Sequence, residues 1–540
     1  MRKFLAFVLS CSSLLGTNIT LEFLESKPKG LARDFYIWRF LSNENTSLQE
    51  ATKAYELINR KNPKLIALMK KKGTPHQLPR EFFCKSLNIE TLLKEDIECI
   101  SYGLQLSQIP SLPKRELETL KKAVQENKSL YKQVQILSSK AILTNMLNSD
   151  AKTFAQIYSQ LNQNQKKIII NQNIKPQTLK KLAEQQDPEF DKMLQGIILS
   201  DSLPKFKKSL LGAKITKTYN GYTLFLLGIN ELLANNKKYA LQYFKLSELA
   251  NKNPLFINKA LFWQYLLQGD NQILQKLTTS NHIDIYTIYA NQKLSTKPSY
   301  VILSELENIR GKKAPFDIQD PFAWEILYAN LLKVKDTDAL DSLISEFAFE
   351  YSQAHMAFVH NRATKYKNNY FITPFSQEIK WKNTHQKSLT YAIARQESNF
   401  LPALISTSYA LGMMQIMPFN VEPFAKNMGI KNIKLEDMFN PVIALEFGRF
   451  YIDELEGEFK HPLLVSYAYN GGPGFLRRAL EKKRLFLKNR AFEPWISLEL
   501  IPYEESRFYG QKVLANYVIY QELFGNNIRL EKLLKEIPLN

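Results

Sequence analysis

The sequence predicts an all-α protein in two parts, an N-terminal superhelix of stacked helix pairs and a smaller, mainly helical C-terminal domain. Three observations lead there. Apolar residues recur at three- and four-residue spacing from about Glu22 to Asn361. The stretch beginning Leu224-Phe-Leu-Leu-Gly228 approximates a helix-pair repeat of about 34 residues. Beyond Trp381, Asn-Pro and His-Pro pairs mark helix starts. At 540 residues the chain exceeds what one hydrophobic core usually organises, and its 45% hydrophobic content is ample for more than one.

The first residues, Met1-Arg-Lys-Phe-Leu-Ala-Phe-Val-Leu-Ser-Cys11, combine a short basic start with an apolar run too short to span a bilayer. This is a secretory signal pattern, taken as 1–20, although no Ala-x-Ala site marks the cut. Cys11 has a second reading as a lipidated cysteine, against which the apolar run before it is only six residues. No other stretch is long enough for a transmembrane helix, so a mature chain that is soluble or peripherally attached to the envelope, in a periplasm, is expected. Removal of the leader leaves Cys84 and Cys99, either a disulfide or two buried thiols. Metal binding is not expected, because the six His and the Cys form no cluster with ligand spacing.

A net charge of +20 admits nucleic acid, an anionic membrane or an acidic polymer as partner. Nucleic acid is set aside because the Lys and Arg are scattered and form no recognised motif. Residues 21–360 form the predicted superhelix. Its clearest unit runs through Gly228, Glu231, Ala240, Phe244 and Pro254, followed directly by a second apolar helix, Lys259 to Gln268. Such a pair cannot bury its face alone, so stacking into a tetratricopeptide-like helical superhelix follows. The Asn/Gln-rich piece Gln160 to Gln186, interrupted by Ile168-Ile-Ile170, reads as solvated helix ends and turns.

Residues 361–381 lack helical periodicity and read as a linker. In the C-terminal domain, 382–525, Asn440-Pro441 opens a helix that Gly457 would close, and His461-Pro462 opens another over Leu463 to Tyr469. Asn470-Gly471-Gly472-Pro473-Gly474 then forces a tight turn that fixes two polar side chains at a helix end. Arg477, Arg478 and Lys482 to Arg484 read as a solvated basic face, and 526–540 as a C-terminal tail.

The chemistry centres on Ala394-Arg-Gln-Glu-Ser-Asn-Phe400. Leu389, Ala392 and Ile393 share one face of the helix leading into it, and Glu397 falls on the flank of that stripe, where partial desolvation raises a carboxyl pKa. No other acid occurs until Glu422, so one carboxylate must serve. Its companions are Gly412-Met-Met-Gln415, Ala468-Tyr-Asn470 and Ile501-Pro-Tyr-Glu-Glu-Ser-Arg-Phe-Tyr509. In this order they resemble the catalytic domain of the soluble lytic transglycosylases, over roughly Gln377 to Phe524.

That resemblance implies a ring- or horseshoe-shaped superhelix ahead of a goose-lysozyme-like domain, and cleavage of peptidoglycan between N-acetylmuramic acid and N-acetylglucosamine. It implies Glu397 as acid and then base, with the substrate's 2-acetamido group standing in for a second carboxylate and a 1,6-anhydro product. By the same resemblance Ser406 holds the acetamido group, Gln415 and Met417 line the groove, Tyr469 and Asn470 contact acid or sugar, and Glu505 and Tyr509 complete the site. No metal or organic cofactor is needed, and a monomer is expected. Of two departures, Met413 for a usual Leu is a volume-conserving swap expected to be tolerated, and the bulky Tyr409 and Leu411 for small residues predict a narrowed or reshaped groove. The alternatives are a lysozyme adding water to the same bond and a wall-binding scaffold without catalysis.

Overall fold

In the computed structural model, described for residues 19–334, 337–364, 367–482 and 484–540, helices follow one another from Leu21 to Lys535. The predicted leader, through residue 18 and so including Cys11, lies outside the described residues. Thr20 already caps the first helix, Leu21–Ser26, by accepting from the Phe23 amide. Among the described residues no helix is long and apolar enough to cross a membrane.

The superhelix is built by sequential stacking. Gly221–Leu233 lies on Lys237–Ala250, which lies on Pro254–Gln268, and Asn271–Thr278 and Ile285–Leu294 follow. Each start is set by a side chain: Asn220, Asn253, Asp270 and Asp284 accept from amides of their own first turns. The first crossing is tight because Gly228 lacks a side chain; a Cβ there would stand 2.6 Å from the Phe244 ring. The small and aromatic positions of the repeat-like unit are thus the two halves of one contact. Between Gln160 and Gln186 the chain forms short helical pieces at Gln163–Gln165 and Pro176–Ala183 joined by a wide turn that buries Ile170.

Four local expectations need correction or completion. The linker region 361–381 carries the strand Asn368–Tyr370, paired in parallel with Val301–Leu303. Its partner lies so far back in the sequence that local periodicity held no sign of it. The tail at 526–540 folds as Leu530–Lys535, with Leu530 and Leu534 buried and Gln292 bonded to Ile528 and Leu530. Gly457 does not close its helix, which runs on through Pro441–Phe459 to a left-handed Lys460 (φ 57°), since nothing at Gly457 forces a break. Cys84 and Cys99 are joined as a disulfide.

The N-terminal helices reach the C-terminal domain directly. Tyr409 is fully buried between the rings of Phe35 and Trp38, and its hydroxyl accepts from Asn62 Nδ2 at 2.8 Å. Lys64 donates to the Ser408 carbonyl at 2.8 Å, and Arg39 pairs with Glu436. Tyr409 and Leu411 therefore do not narrow a groove; both point into packed interior, Tyr409 as a bolt between the two parts of the chain.

The disulfide closes a loop with a sequence separation of 15, a constraint worth about 3 kcal/mol on the chain-entropy account. Cys84→Ser/Cys99→Ser is expected to lower the melting temperature measured by calorimetry, with the two helices Arg80–Ser86 and Ile97–Gly103 losing amide-exchange protection first.

Candidate active site

Glu397 sits in the last turn of the helix Thr384–Ser398. That helix is stopped abruptly: Asn399 (φ 49°) and Phe400 (φ 68°) both adopt left-handed backbone, which Asn tolerates and Phe does not favour. Phe400 holds the strained conformation because its ring is buried beside Tyr391. The Ser398 hydroxyl donates to the Met413 carbonyl at 2.7 Å, tying the helix end to the Gly412–Gln415 turn. Gly412 (φ 71°) is obligatory in that turn, since a Cβ would overlap the Met438 carbonyl at 1.8 Å.

Opposite this helix runs Glu504–Leu523, bound to it by the guanidinium of Arg395, which donates to Asn516 Oδ1 at 2.8 Å, and by Asn516 Nδ2, which reaches the Ala392 carbonyl at 3.2 Å. The long helix delivers Tyr509, whose hydroxyl donates to Glu397 Oε1 at 2.6 Å. A third helix, Pro462–Gly471, brings Tyr469, which donates to the Met414 carbonyl at 2.8 Å. At the rim Ser506 donates to Asn470 Oδ1 at 2.7 Å and Asn470 Nδ2 approaches Glu505 at 3.4 Å.

Burial pushes the Glu397 carboxyl up to about 8; the Tyr509 hydrogen bond opposes the rise and the Glu505 charge adds to it. Burial and the adjacent Glu397 charge hold both phenols, Tyr509 and Tyr469, well above their ordinary range. At neutral pH this is a protonated carboxyl braced by a protonated phenol, the state required of a general acid.

Chain similarity agrees with the geometry. Residues 374–492 match the transglycosylase SLT domain. Among curated proteins, a putative soluble lytic murein transglycosylase of Haemophilus influenzae is 31% identical over 141 residues, covering 26% of this chain and 23% of its own. The soluble lytic murein transglycosylase of Escherichia coli K12 is 32% identical over 142 residues, covering 26% and 21%. The aligned part thus spans under a quarter of the length of these relatives. Among solved structures, the 70 kDa soluble lytic transglycosylase of Escherichia coli aligns over 94% of this chain and 84% of its own, with 17% identity and a TM-score of 0.49.

The SLT match ends before Glu505 and Tyr509; it is the fold that carries Tyr509 to the acid. Of the residues anticipated from sequence, Glu397, Tyr469, Tyr509, Asn470 and Glu505 gather at one place. Ser406 and Gln415 serve their own loop: Ser406 Oγ accepts from the Ala410 amide at 2.9 Å, and Gln415 Nε2 donates to the Leu404 and Gly412 carbonyls at 3.1 and 2.8 Å. Met417 is half-buried at the start of the helix Pro418–Asn427. From Pro418 a cleft of about 910 Å³ opens, flanked by Arg39, Glu422, Lys426, Lys431 and Lys434. Sequence reading passed over Ser398, Arg395, Ser506 and Asn516. The first three lie inside the quoted motifs, and their polar type at positions close to the candidate site residues was the available signal.

Two outcomes follow. With a folded-state pKa of about 8 against an unfolded 4.5, the native state binds the Glu397 proton more tightly, so its contribution is favourable below pH 4.5 and is lost as pH rises to 8. Glu397→Gln, which cannot ionise, is expected to match the wild type in chemical denaturation near pH 4 and to exceed it by roughly 4 kcal/mol at pH 8. Tyr509→Phe removes a donor to the carboxylate, a bond worth about 1.5 kcal/mol or more. A rise of about one unit in the Glu397 titration midpoint, read by carbonyl-stretch infrared spectroscopy, is expected.

Proposed function

We propose that this chain is a peptidoglycan lytic transglycosylase acting in cell-wall turnover in the periplasm. The observation that supports it best is the lone, desolvated Glu397 held protonated beside Tyr509. Two-carboxylate glycosidases divide acid and nucleophile or base between separate residues. Here the other nearby carboxylate, Glu505, is exposed at the rim and engaged with Asn470, placed to tune charge rather than to attack.

In the proposed reaction Glu397 gives its proton to the oxygen bridging the muramoyl C1 and the glucosaminyl C4, and the C1–O bond breaks. The substrate's acetamido oxygen stabilises the cation at C1. Ser406 Oγ already accepts from the Ala410 and Ser408 amides, so its remaining capacity is to donate, which suits it to the acetamido carbonyl. Glu397, now a carboxylate, takes the proton of the muramoyl 6-hydroxyl, and that oxygen closes on C1. The bond count balances without water, so the product is 1,6-anhydromuramic acid. Tyr509 stays hydrogen-bonded throughout and is strongest when Glu397 is charged, which stabilises the intermediate state between the two proton transfers.

Purified wild-type protein and Glu397→Gln, incubated with sacculi and analysed by mass spectrometry, test this reading. Expected are muropeptides one water lighter than their hydrolytic counterparts, released by the wild type and absent with the variant. Hydrated products would make the protein a lysozyme, and release of none by the wild type would leave the binding-scaffold reading.

A further inference from the structure

Lys259 belongs to the superhelix, yet its ammonium is completely buried against the C-terminal domain. Its Nζ donates to Glu499 Oε2 at 2.6 Å and to Gln511 Oε1 at 3.2 Å. Tyr286, also from the superhelix, donates to Glu499 Oε1 at 2.6 Å and lies 3.2 Å from Gln511 Oε1. Gln511 turns its own amide to the Leu498 carbonyl at 3.1 Å. One turn earlier on the same helix, Arg507 donates to the hydroxyl of Tyr222 at 2.9 Å and to the Ile501 carbonyl at 2.6 Å. All of these side chains are buried.

Removing an ammonium and a carboxylate from water costs several kcal/mol per ion, and well-packed apolar residues usually do as well or better for stability. What such a network does supply is fixed geometry, because each hydrogen bond has a preferred direction. At 100° per residue, Arg507 and Gln511 lie about 40° apart on one face of Glu504–Leu523, and Tyr509 lies about 160° from either. One face of the helix is therefore held by the superhelix while the opposite face presents Tyr509 to Glu397. A modest roll of this helix would break a hydrogen bond of 2.6 Å.

We propose that Lys259 is a positioning residue for Glu397: with Tyr286 and Tyr222 it sets the rotation of the helix Glu504–Leu523 and thereby the Tyr509–Glu397 hydrogen bond. The superhelix in this view is part of the machinery that tunes the acid. The charged and titratable groups around Lys259 are Glu499, Arg507 and Asp284, with the phenols of Tyr222 and Tyr286. Those around Glu397 are Tyr509, Tyr469 and Glu505. The consequence for catalysis rests on the transglycosylase reading; the effect on the carboxyl does not.

The test is the titration midpoint of Glu397 in the full chain, followed by infrared difference spectroscopy and assigned by subtracting Glu397→Gln. Lys259→Met is expected to raise the midpoint towards that of Tyr509→Phe, by up to about one unit, and to add nothing in the Tyr509→Phe background. A folded Lys259→Met protein with the wild-type midpoint would overturn the proposal. So would an equal rise in both backgrounds, which would mean a through-space charge effect of the unpaired Glu499. If circular dichroism shows Lys259→Met unfolded, Tyr286→Phe, which deletes a single hydroxyl, decides the matter: a rise of a few tenths of a unit confined to the Tyr509 background is expected, and no rise overturns it. Sacculus turnover is measured alongside, so an inactive wild type would count against the proposed function while the titration still reports on positioning.

Discussion

A half-buried carboxyl, shielded from most of its water, is the constraint on which the rest of this domain depends. Moving the Glu397 pKa from 4.5 to about 8 stores several kcal/mol against ionisation, at roughly 1.4 kcal/mol per unit. That energy has to come from packing elsewhere. The helix Pro462–Gly471 meets Glu504–Leu523 at Gly510, where a Cβ would stand 2.2 Å from the Tyr467 ring, so the closest approach is reserved for backbone against an aromatic face. Phe400 in a left-handed conformation and Gly412 under the Met438 carbonyl are further places where local preference yields to closure around the acid. Were these contacts looser, more water would reach the carboxyl and its pKa would fall back towards 4.5.

The polar side chains of the loop from Ser406 to Gln415 are mostly spent on the loop itself. Gln415 donates to two carbonyls of its own turn, and Ser406 accepts two amides. A loop so tied presents a fixed wall, with its entropy already lost before any ligand arrives. Asn470 is oriented differently, by Ser506 from a neighbouring helix, and Glu505 is exposed beside it. One side of the site is thus rigid by internal bonding and the other is adjustable at a polar rim.

The desolvated position of Glu397, the caps and the repeat-like pair were legible in the sequence because each is written in neighbouring residues. Asn440-Pro441 and His461-Pro462 start helices where their spacing said they would. Tyr409 was misread because its type suggested a groove residue, whereas its partners, Phe35, Trp38 and Asn62, lie more than three hundred residues away. The strand Asn368–Tyr370 and the packed tail failed for the same reason: what makes them regular is a distant element, and local pattern carries no trace of it. In the sequence Lys259 reads only as the first residue of an apolar helix, and only the fold reveals that a carboxylate and an amide from the other end of the chain enclose it.

These distant contacts are not equivalent. Tyr409, Asn62 and Lys64 fasten the Ser406–Gln415 loop to the first helices of the superhelix, while Lys259, Tyr286 and Tyr222 fasten the Tyr509 helix to its later ones. The two walls of the site are therefore referenced to separate parts of one superhelix. Arg39–Glu436 at the first junction is partly exposed, so solvent weakens it, whereas Lys259–Glu499 is dry and has no alternative partner in water. A small change in superhelix curvature would be absorbed at the first junction, where groups can exchange with water. At the second it would be passed on to the helix, because breaking a buried pair costs more than rolling the helix it holds.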